Sequence, residues 1–581
     1  MSAPLLHSGG STARASRRTI RAGRRPGMQG FDGEIFMATK KNAPAAPQDA
    51  EYVVRGFVVH LGADLSPKKR NAALQKIRGQ VPEFAAAVDA RTLQRAKPLG
   101  KGAADVLIAL PRKHGVDIGQ AWNVVHALRG NALVADAEPA VRTASGVAPP
   151  TGRRLGAIGG PDGPPLPQAN DPRWSVDNAR ISGMWSTTRG YGVLVGHPDT
   201  GYTHDPQIDT ARLLAAYGYN FQEGNADPLD RMTGSFAGHG TGTASVIMSN
   251  SAPVYGGAPD VRLIPYRVSD SVIHFDFTNL TQALYRARDQ QCDLVSMSLG
   301  GPWAGRSLSR AVDTLVAADI ILLAAAGNVW PWVVYPAKFD NVVAVAASNA
   351  IDKPWKDSAS GDEVDITAPG ESVWRAYAQK INGAMNYSVA PSSGTSYAVA
   401  TTAGACALWL AQHGAAALRT RYPGRVAAVF MNLLKTEGYR SVPGWDTGDY
   451  GPGILDARGL LRAQLPAQAP AAIARIRNAV APSQRSYAWA RLQPLFPELS
   501  PEQLARAIVP AFGKRAAAAT RRLADVIDEV EFFIATNADV RSSIIAAAQP
   551  PKRGRSAIAV VGPKAMLRTI GSAHLRAQLK G

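Results

Sequence analysis

The stretch Thr401–Leu410 reads Thr-Thr-Ala-Gly-Ala-Cys-Ala-Leu-Trp-Leu and carries no charge. Wound as a helix, it has small and apolar residues all round, so other structure has to enclose it on every side. Directly before it stands Gly394-Thr395-Ser396-Tyr397-Ala398-Val399-Ala400. Ser396 therefore falls at or near the N-terminus of a buried helix. Unbonded backbone N–H groups and the positive end of the dipole favour a developing negative charge there. A serine so placed is chemically useful with a base to take its proton and a group to hold that base. Both candidates lie upstream. His239 sits in Gly238-His239-Gly240-Thr241-Gly242-Thr243-Ala244-Ser245, and Asp199 in Asp199-Thr200-Gly201, after Val193-Leu194-Val195. Ala325-Ala326-Gly327-Asn328 lies between the histidine and the serine.

Around these motifs strand-like and helix-like segments alternate. Strands are expected over Tyr191–Gly196, Val261–Val268, Asp293–Gly300, Ile320–Ala326 and Val342–Ala347, with a further piece at Val364–Ile366. Helices are expected over Gly240–Met248, Leu280–Asp289 and Leu308–Ala317. Such alternation implies an α/β fold, a parallel sheet with helices on both faces. The polar motifs then fall at the carboxyl ends of strands or at helix starts, where open α/β sheets carry their sites.

Together, in the order Asp, His, Ser, these motifs resemble the subtilisin-like serine peptidases, the subtilases. The resemblance covers roughly Trp174–Ala457 and closes on Tyr450-Gly451-Pro452-Gly453-Ile454-Leu455-Asp456-Ala457. It implies a serine endopeptidase that hydrolyses polypeptide substrates through an acyl-enzyme intermediate, with no cofactor. Asp199, His239 and Ser396 would form the triad, and Asn328 with the Ser396 N–H would hold the oxyanion. Ser298, Leu299 and Gly300 match the edge that pairs with extended substrate as an added strand. Ala326, Gly327 and Val334 fall at the primary specificity pocket. Deep-pocket members have glycine just before the matching Tyr335-Pro336; Val334 here implies a shallow, apolar pocket. Four departures stand out. Pro198 replaces an aliphatic residue, Gly242 a second histidine, and Ala400 a proline. The segment from His239 to Pro259 is short for the family's calcium loop, and no Asp/Asn-rich loop replaces it, so no metal ligands are assigned. His197 and His204 read as local surface or turn residues.

Beyond residues 173–464, the peptidase-like domain, the chain divides further. Residues 1–50 hold six arginines before Asp32 and read as disordered. Ser16-Arg17-Arg18 lacks the apolar segment of an export signal, and Met28 or Met37 would suit a start. The family is often secreted, but no standard signal peptide is visible, and the compartment stays open. Residues 51–143 follow the order βαββαβ of a small ferredoxin-like α+β domain. Its strands are Tyr52–Val59, Asp105–Leu110 and Ala132–Ala137, with a weak one near Arg91–Lys97. Its helices are Lys68–Val81 and Ile118–Leu128. Its position resembles that of the family's propeptide, which implies an intramolecular inhibitor; a permanently attached accessory domain is the alternative. Residues 144–172 are a Pro/Gly/Arg-rich linker. Residues 465–581 begin as an Ala/Pro-rich linker and continue as helices over Pro501–Phe512 and Lys514–Ala547. Leu523, Val526, Ile527, Val530, Phe533 and Ile534 form one apolar stripe there.

The net charge of +19 invites a nucleic-acid reading. Residues 1–50 carry +5 and 465–581 carry +10, which leaves +4 across 51–464. No zinc cluster or aromatic-basic motif accompanies the basic ends, so nucleic acid is not an expected partner. A basic nucleic-acid binder and an inactive subtilase-fold binding protein are the alternatives to the enzyme. The two cysteines, Cys292 and Cys406, read as packed thiols. No apolar run reaches the ~18 residues of a membrane span.

Overall fold

The computed structural model describes residues 52–143, 166–470, 484–549 and 561–579, all within one compact unit. The expectations for the basic N-terminus, for most of the 144–172 linker and for 471–483 lie outside the described residues.

Among the described residues the main sheet has nine strands. In spatial order they are Tyr439–Arg440, Ile454–Leu455, Ile366–Pro369, Val343–Ser348, Ile321–Ala325, Leu294–Met297, Leu194–Asp199, Arg262–Arg267 and Tyr219–Asn220. All neighbours pair in parallel except the first two, which are antiparallel. Strand alternation sorts side chains between two cores. Ile321, Leu323 and Ala325 face one layer; Leu322 and Ala324 face the other. The first layer holds the helices His239–Met248, Thr395–His413 and Val426–Thr436, and the second holds Thr278–Asp289 and Arg306–Ala317. The uncharged helix Thr395–His413 is buried from Thr395 to Leu410, as its composition requires.

Residues 52–143 form a four-stranded antiparallel sheet in the order Lys97–Pro98, Asp105–Ala109, Tyr52–His60, Asp136–Thr143. That order is ferredoxin-like. Two expectations for this domain need correction. The last strand is Asp136–Thr143, later than 132–137, and the weak strand expected near 91–97 is shifted to Lys97–Pro98, residues 90–94 forming a short helix capped by Asp89. The hairpin Val373–Ile381 with Ala384–Ser392 was not expected at all. Tyr191, assigned to a buried strand, is 84% exposed and precedes the strand. The C-terminal region breaks into Ala516–Asp525, Ile527–Thr536 and Ala538–Ala548 rather than one long helix, but its expected stripe is buried. Cys292 and Cys406 are buried free thiols. Among the described residues no helix is long and apolar enough to cross a membrane.

Three parts of the chain meet around buried charge. The small domain docks on the helix Arg306–Ala317 through its acids. Arg310 donates to both Asp105 oxygens (2.9 and 3.1 Å from Nε) and to Asp136 (3.2 Å). The Ser307 N–H and hydroxyl donate to Glu138, at the N-terminal end of that helix. The C-terminal helices then tie both partners. Asp528 meets Arg129 of the small domain (2.8 Å), Arg306 of the sheet domain (3.0 Å) and Arg491. Glu529 accepts from the Ser572 N–H (2.6 Å) and pairs with His126 (2.8 Å). Burial opposes the charge on Asp528, but its three guanidiniums hold the carboxyl well below its ordinary range.

Glu138 behaves the opposite way. Burial outweighs the bonds from Ser307 and the charge of Arg310, and pushes its pKa from 4.5 up to about 7. A raised acid pKa favours the docked state where the acid is protonated. Its contribution is therefore full below about pH 4.5 and lost as pH rises through about 7. Docking of residues 52–143 in the wild type should weaken between pH 5 and 8 relative to Glu138→Gln. Comparative hydrogen exchange of the two proteins across that range checks this.

Candidate active site

The interior strand Leu194–Asp199 delivers Asp199 to its carboxyl end, 1% exposed. Its Oδ1 accepts from His239 Nδ1 at 2.8 Å and from the Thr200 N–H at 2.7 Å. Its Oδ2 accepts from the Thr243 hydroxyl at 3.3 Å. Burial opposes ionisation, yet the His239 charge and hydrogen bond outweigh it, so the Asp199 pKa lies below its ordinary value.

His239 opens the helix His239–Met248. A glycine after it is sterically required. A Cβ on Gly240 would lie 2.1 Å from the Gly201 carbonyl and 3.1 Å from Asp199 Cβ, so only glycine lets the helix start approach the strand end this closely. The loop between them is stitched by Asp230, which accepts from the Thr200 hydroxyl (2.7 Å) and the Gly238 N–H (2.9 Å). Sequence reading did not single out Asp230.

Ser396 is the second residue of its helix, 4% exposed. Its hydroxyl donates to the Ser298 carbonyl at 3.3 Å, and the Ser298 hydroxyl donates to the Ser396 carbonyl at 3.0 Å. Asn328 is oriented by Thr395, whose N–H and hydroxyl donate to its Oδ1 at 2.9 and 2.6 Å. The Asn328 Nδ2 is thereby turned toward Gly394. A Cβ placed on Gly394 would sit 3.4 Å from that nitrogen and 3.6 Å from the Ser396 nitrogen. Both nitrogens thus lie within 3.6 Å of the point that a Gly394 side chain would occupy.

Ser298, Leu299, Gly300, Gly327, Asn328 and Val334 line one cavity beside Ser396, of only about 30 Å³. That volume suits a water molecule, not a substrate side chain. Val334 helps to fill it: its Cγ2 lies 2.6 and 3.1 Å from where Cβ atoms on Gly300 and Gly327 would be. Ala326, expected in the pocket, does not line it; it is fully buried, and its carbonyl accepts from the Val334 N–H at 2.9 Å. Gly300 is not an open edge in this state. Its N–H donates to the Val272 carbonyl (2.9 Å) and its carbonyl accepts from the His274 N–H (2.8 Å).

Two residues behave unlike their sequence reading or escaped it. His197 is not a surface residue but 1% exposed, with Nε2 3.1 Å from the Thr243 hydroxyl that contacts Asp199. Burial lowers its pKa to about 4 and keeps it neutral. His204, by contrast, is exposed. Arg375, also buried, lies against Gly242, with its Cδ 3.0 Å from where a Cβ would be. Its Nε donates to the Ser392 hydroxyl at 2.9 Å. The signal was Gly242 itself, a missing side chain whose space another residue had to take.

A model of the subtilase family matches residues 190–440. An intracellular serine protease of Paenibacillus polymyxa is 33% identical over 250 residues, covering 42% of this chain and 73% of that protein. The chain belongs to the subtilase family. Subtilisin DY of Bacillus licheniformis is 32% identical over 279 residues, covering 46% of this subtilase and 90% of the relative. Fervidolysin from Fervidobacterium pennivorans, a keratinolytic enzyme related to subtilisin, shares the fold. It superimposes with a TM-score of 0.51 over 73% of this chain and 63% of its own, at 18% identity. As a subtilase the protein is a subtilisin-like serine endopeptidase.

Proposed function

We propose that this endopeptidase works through Asp199, His239 and Ser396, with Asn328 as oxyanion donor. The observation that carries the reading is the 2.8 Å bond from His239 Nδ1 to a buried Asp199 carboxylate. That bond fixes the histidine tautomer and leaves Nε2 as the base. Ser396 would attack the scissile carbonyl while His239 takes its proton, then returns it to the leaving amine. Asp199, kept ionised, would stabilise the imidazolium between those transfers. Negative charge on the carbonyl oxygen would build beside Gly394, between Asn328 Nδ2 and the Ser396 N–H. Two donors held in place there would need little reorganisation when the charge appears.

The position of Val334 against Gly300 and Gly327 supports a preference for Ala, Val or Leu over Phe before the scissile bond. Residues 52–143 act in this reading as an intramolecular inhibitor, supported by their docking against the catalytic domain through Asp105, Asp136 and Glu138.

Asn328→Ala should reduce kcat by roughly 10²–10³-fold with little change in KM, the range found when such a donor is removed from a subtilisin. Steady-state kinetics on a peptide anilide tests this, and an unchanged kcat removes Asn328 from the mechanism. Val334→Gly should raise kcat/KM for a Phe-anilide relative to an Ala-anilide by about tenfold or more. A competition assay with the two substrates reads that ratio, and no change would place the pocket elsewhere.

A further inference from the structure

The edge assigned to substrate is already occupied by the protein's own chain. Residues 271–275 run beside Gly300 as a short parallel bridge, with Ile273 opposite it. Both main-chain groups of Gly300 are used: the N–H by Val272 at 2.9 Å and the carbonyl by His274 at 2.8 Å. A peptide adding itself as a strand needs those same two groups. Val272 and Ile273 also wall the 30 Å³ cavity next to Ser396 and Asn328. Within it the single Ser396 hydroxyl proton goes to the Ser298 carbonyl. Ser396 and His239 are 4% and 2% exposed. Site and edge are thus closed together.

The segment is held both from the small N-terminal domain and from within the sheet domain. Just past its end, Asp276 pairs with Arg55 of the small N-terminal domain at 3.0 Å, the carboxylate side chain being 7% exposed. Phe275 packs edge-on against Trp330 at 6.1 Å between ring centroids. Ile273 and Phe275 both lie against the apolar cluster that joins the N-terminal domain, Trp330 and the C-terminal helices. On the other side of Gly300, Gly301 pairs with Tyr335 in both directions at 2.9 Å, and the His274 carbonyl lies so close to Gly301 that a Cβ there would sit 1.7 Å from its oxygen.

We infer that residues 271–275 are an internal gate strand, zipped onto the substrate edge at Gly300 and latched by the N-terminal domain through Arg55–Asp276. Loosening that domain frees the gate, exposes the Gly300 main chain and lets extended substrate pair. The inference rests on the peptidase reading of the same site. It adds a step: the N-terminal domain restrains a piece of the catalytic domain that itself covers the edge.

Two readouts test it in the full chain. The first is amide hydrogen exchange in a Ser396→Ala background, which prevents self-digestion. Arg55→Gln should speed exchange at Gly300 and His274 about three- to tenfold, the effect of losing one partly buried ion pair. Phe275→Ala, which removes the packing on Trp330, should do the same. The amides of the sheet strand Val343–Ser348, paired on both sides within the sheet, should stay unchanged. The second readout, with Ser396 intact, is hydrolysis of a tetrapeptide anilide against nitrophenyl acetate, which needs no strand pairing. The tetrapeptide-to-acetate ratio should rise by a similar factor in both variants. Unchanged exchange at Gly300 and His274 in both variants overturns the gate. So does faster exchange with an unchanged ratio, because the segment would then not control access. Faster exchange in variants that hydrolyse neither substrate supports the gate and rejects the peptidase reading instead.

Discussion

A helix with no polar face can exist only where other structure covers all of it, and Thr395–His413 imposes that demand on the whole catalytic domain. The parallel sheet and the neighbouring helices meet it. Once the helix is packed there, its first turn has one place to be, at the carboxyl edge of the strands. Ser396 therefore arrives beside the end of Leu194–Asp199 and the start of His239–Met248. The remaining polar groups at the site are arranged around that position. Thr395 turns the Asn328 amide, Ser298 meets Ser396, and Gly240 lets the histidine helix approach Asp199 within contact distance.

The second organising element is buried charge between domains. Asp528, Glu529 and Glu531 are almost wholly enclosed, on one C-terminal helix. Stripping a partner from a buried pair typically costs 3–5 kcal/mol, because the remaining charge stays uncompensated. Asp528 draws one arginine from each of three regions, so separating the N-terminal domain from the sheet domain disturbs the C-terminal helices too. Tyr52 adds a bond to Thr536, and Asn123 accepts from the Ala573 N–H at 2.7 Å. This third body distinguishes the chain from a simple pairing of N-terminal domain and sheet domain: it grips both, and its apolar cluster extends to the segment at Phe275.

Much of the site was legible because its chemistry is carried by contiguous motifs. Gly-His-Gly and Gly-Thr-Ser each encode a helix start, and the strand before Asp199 announces itself by apolar residues. The ferredoxin-like order of residues 52–143 was legible from periodicity alone, whereas its last strand was not. The segment Asp136–Thr143 alternates charged and small residues, because Asp136 and Glu138 point at Arg310 and Ser307 of another domain. His197 was misread for a related reason. A polar residue in a strand looks exposed until a buried hydroxyl partner, Thr243, is placed 46 positions away. The gate was invisible in sequence, since Val272, Ile273 and Phe275 are ordinary apolar residues and their meaning lies in pairing with Gly300. The breaks near Val526 and Asn537 escaped for want of glycine or proline; there the Asn537 side chain caps the following helix.

The central claim is that Ser396 is a nucleophile activated by His239. Labelling the chain with a small organophosphate after proteolytic loosening of the N-terminal domain, followed by peptide mass analysis, measures this directly. The account predicts a single stoichiometric adduct on Ser396 that is absent in His239→Ala. An unmodified Ser396 in the wild type, or equal labelling in the two proteins, would contradict it.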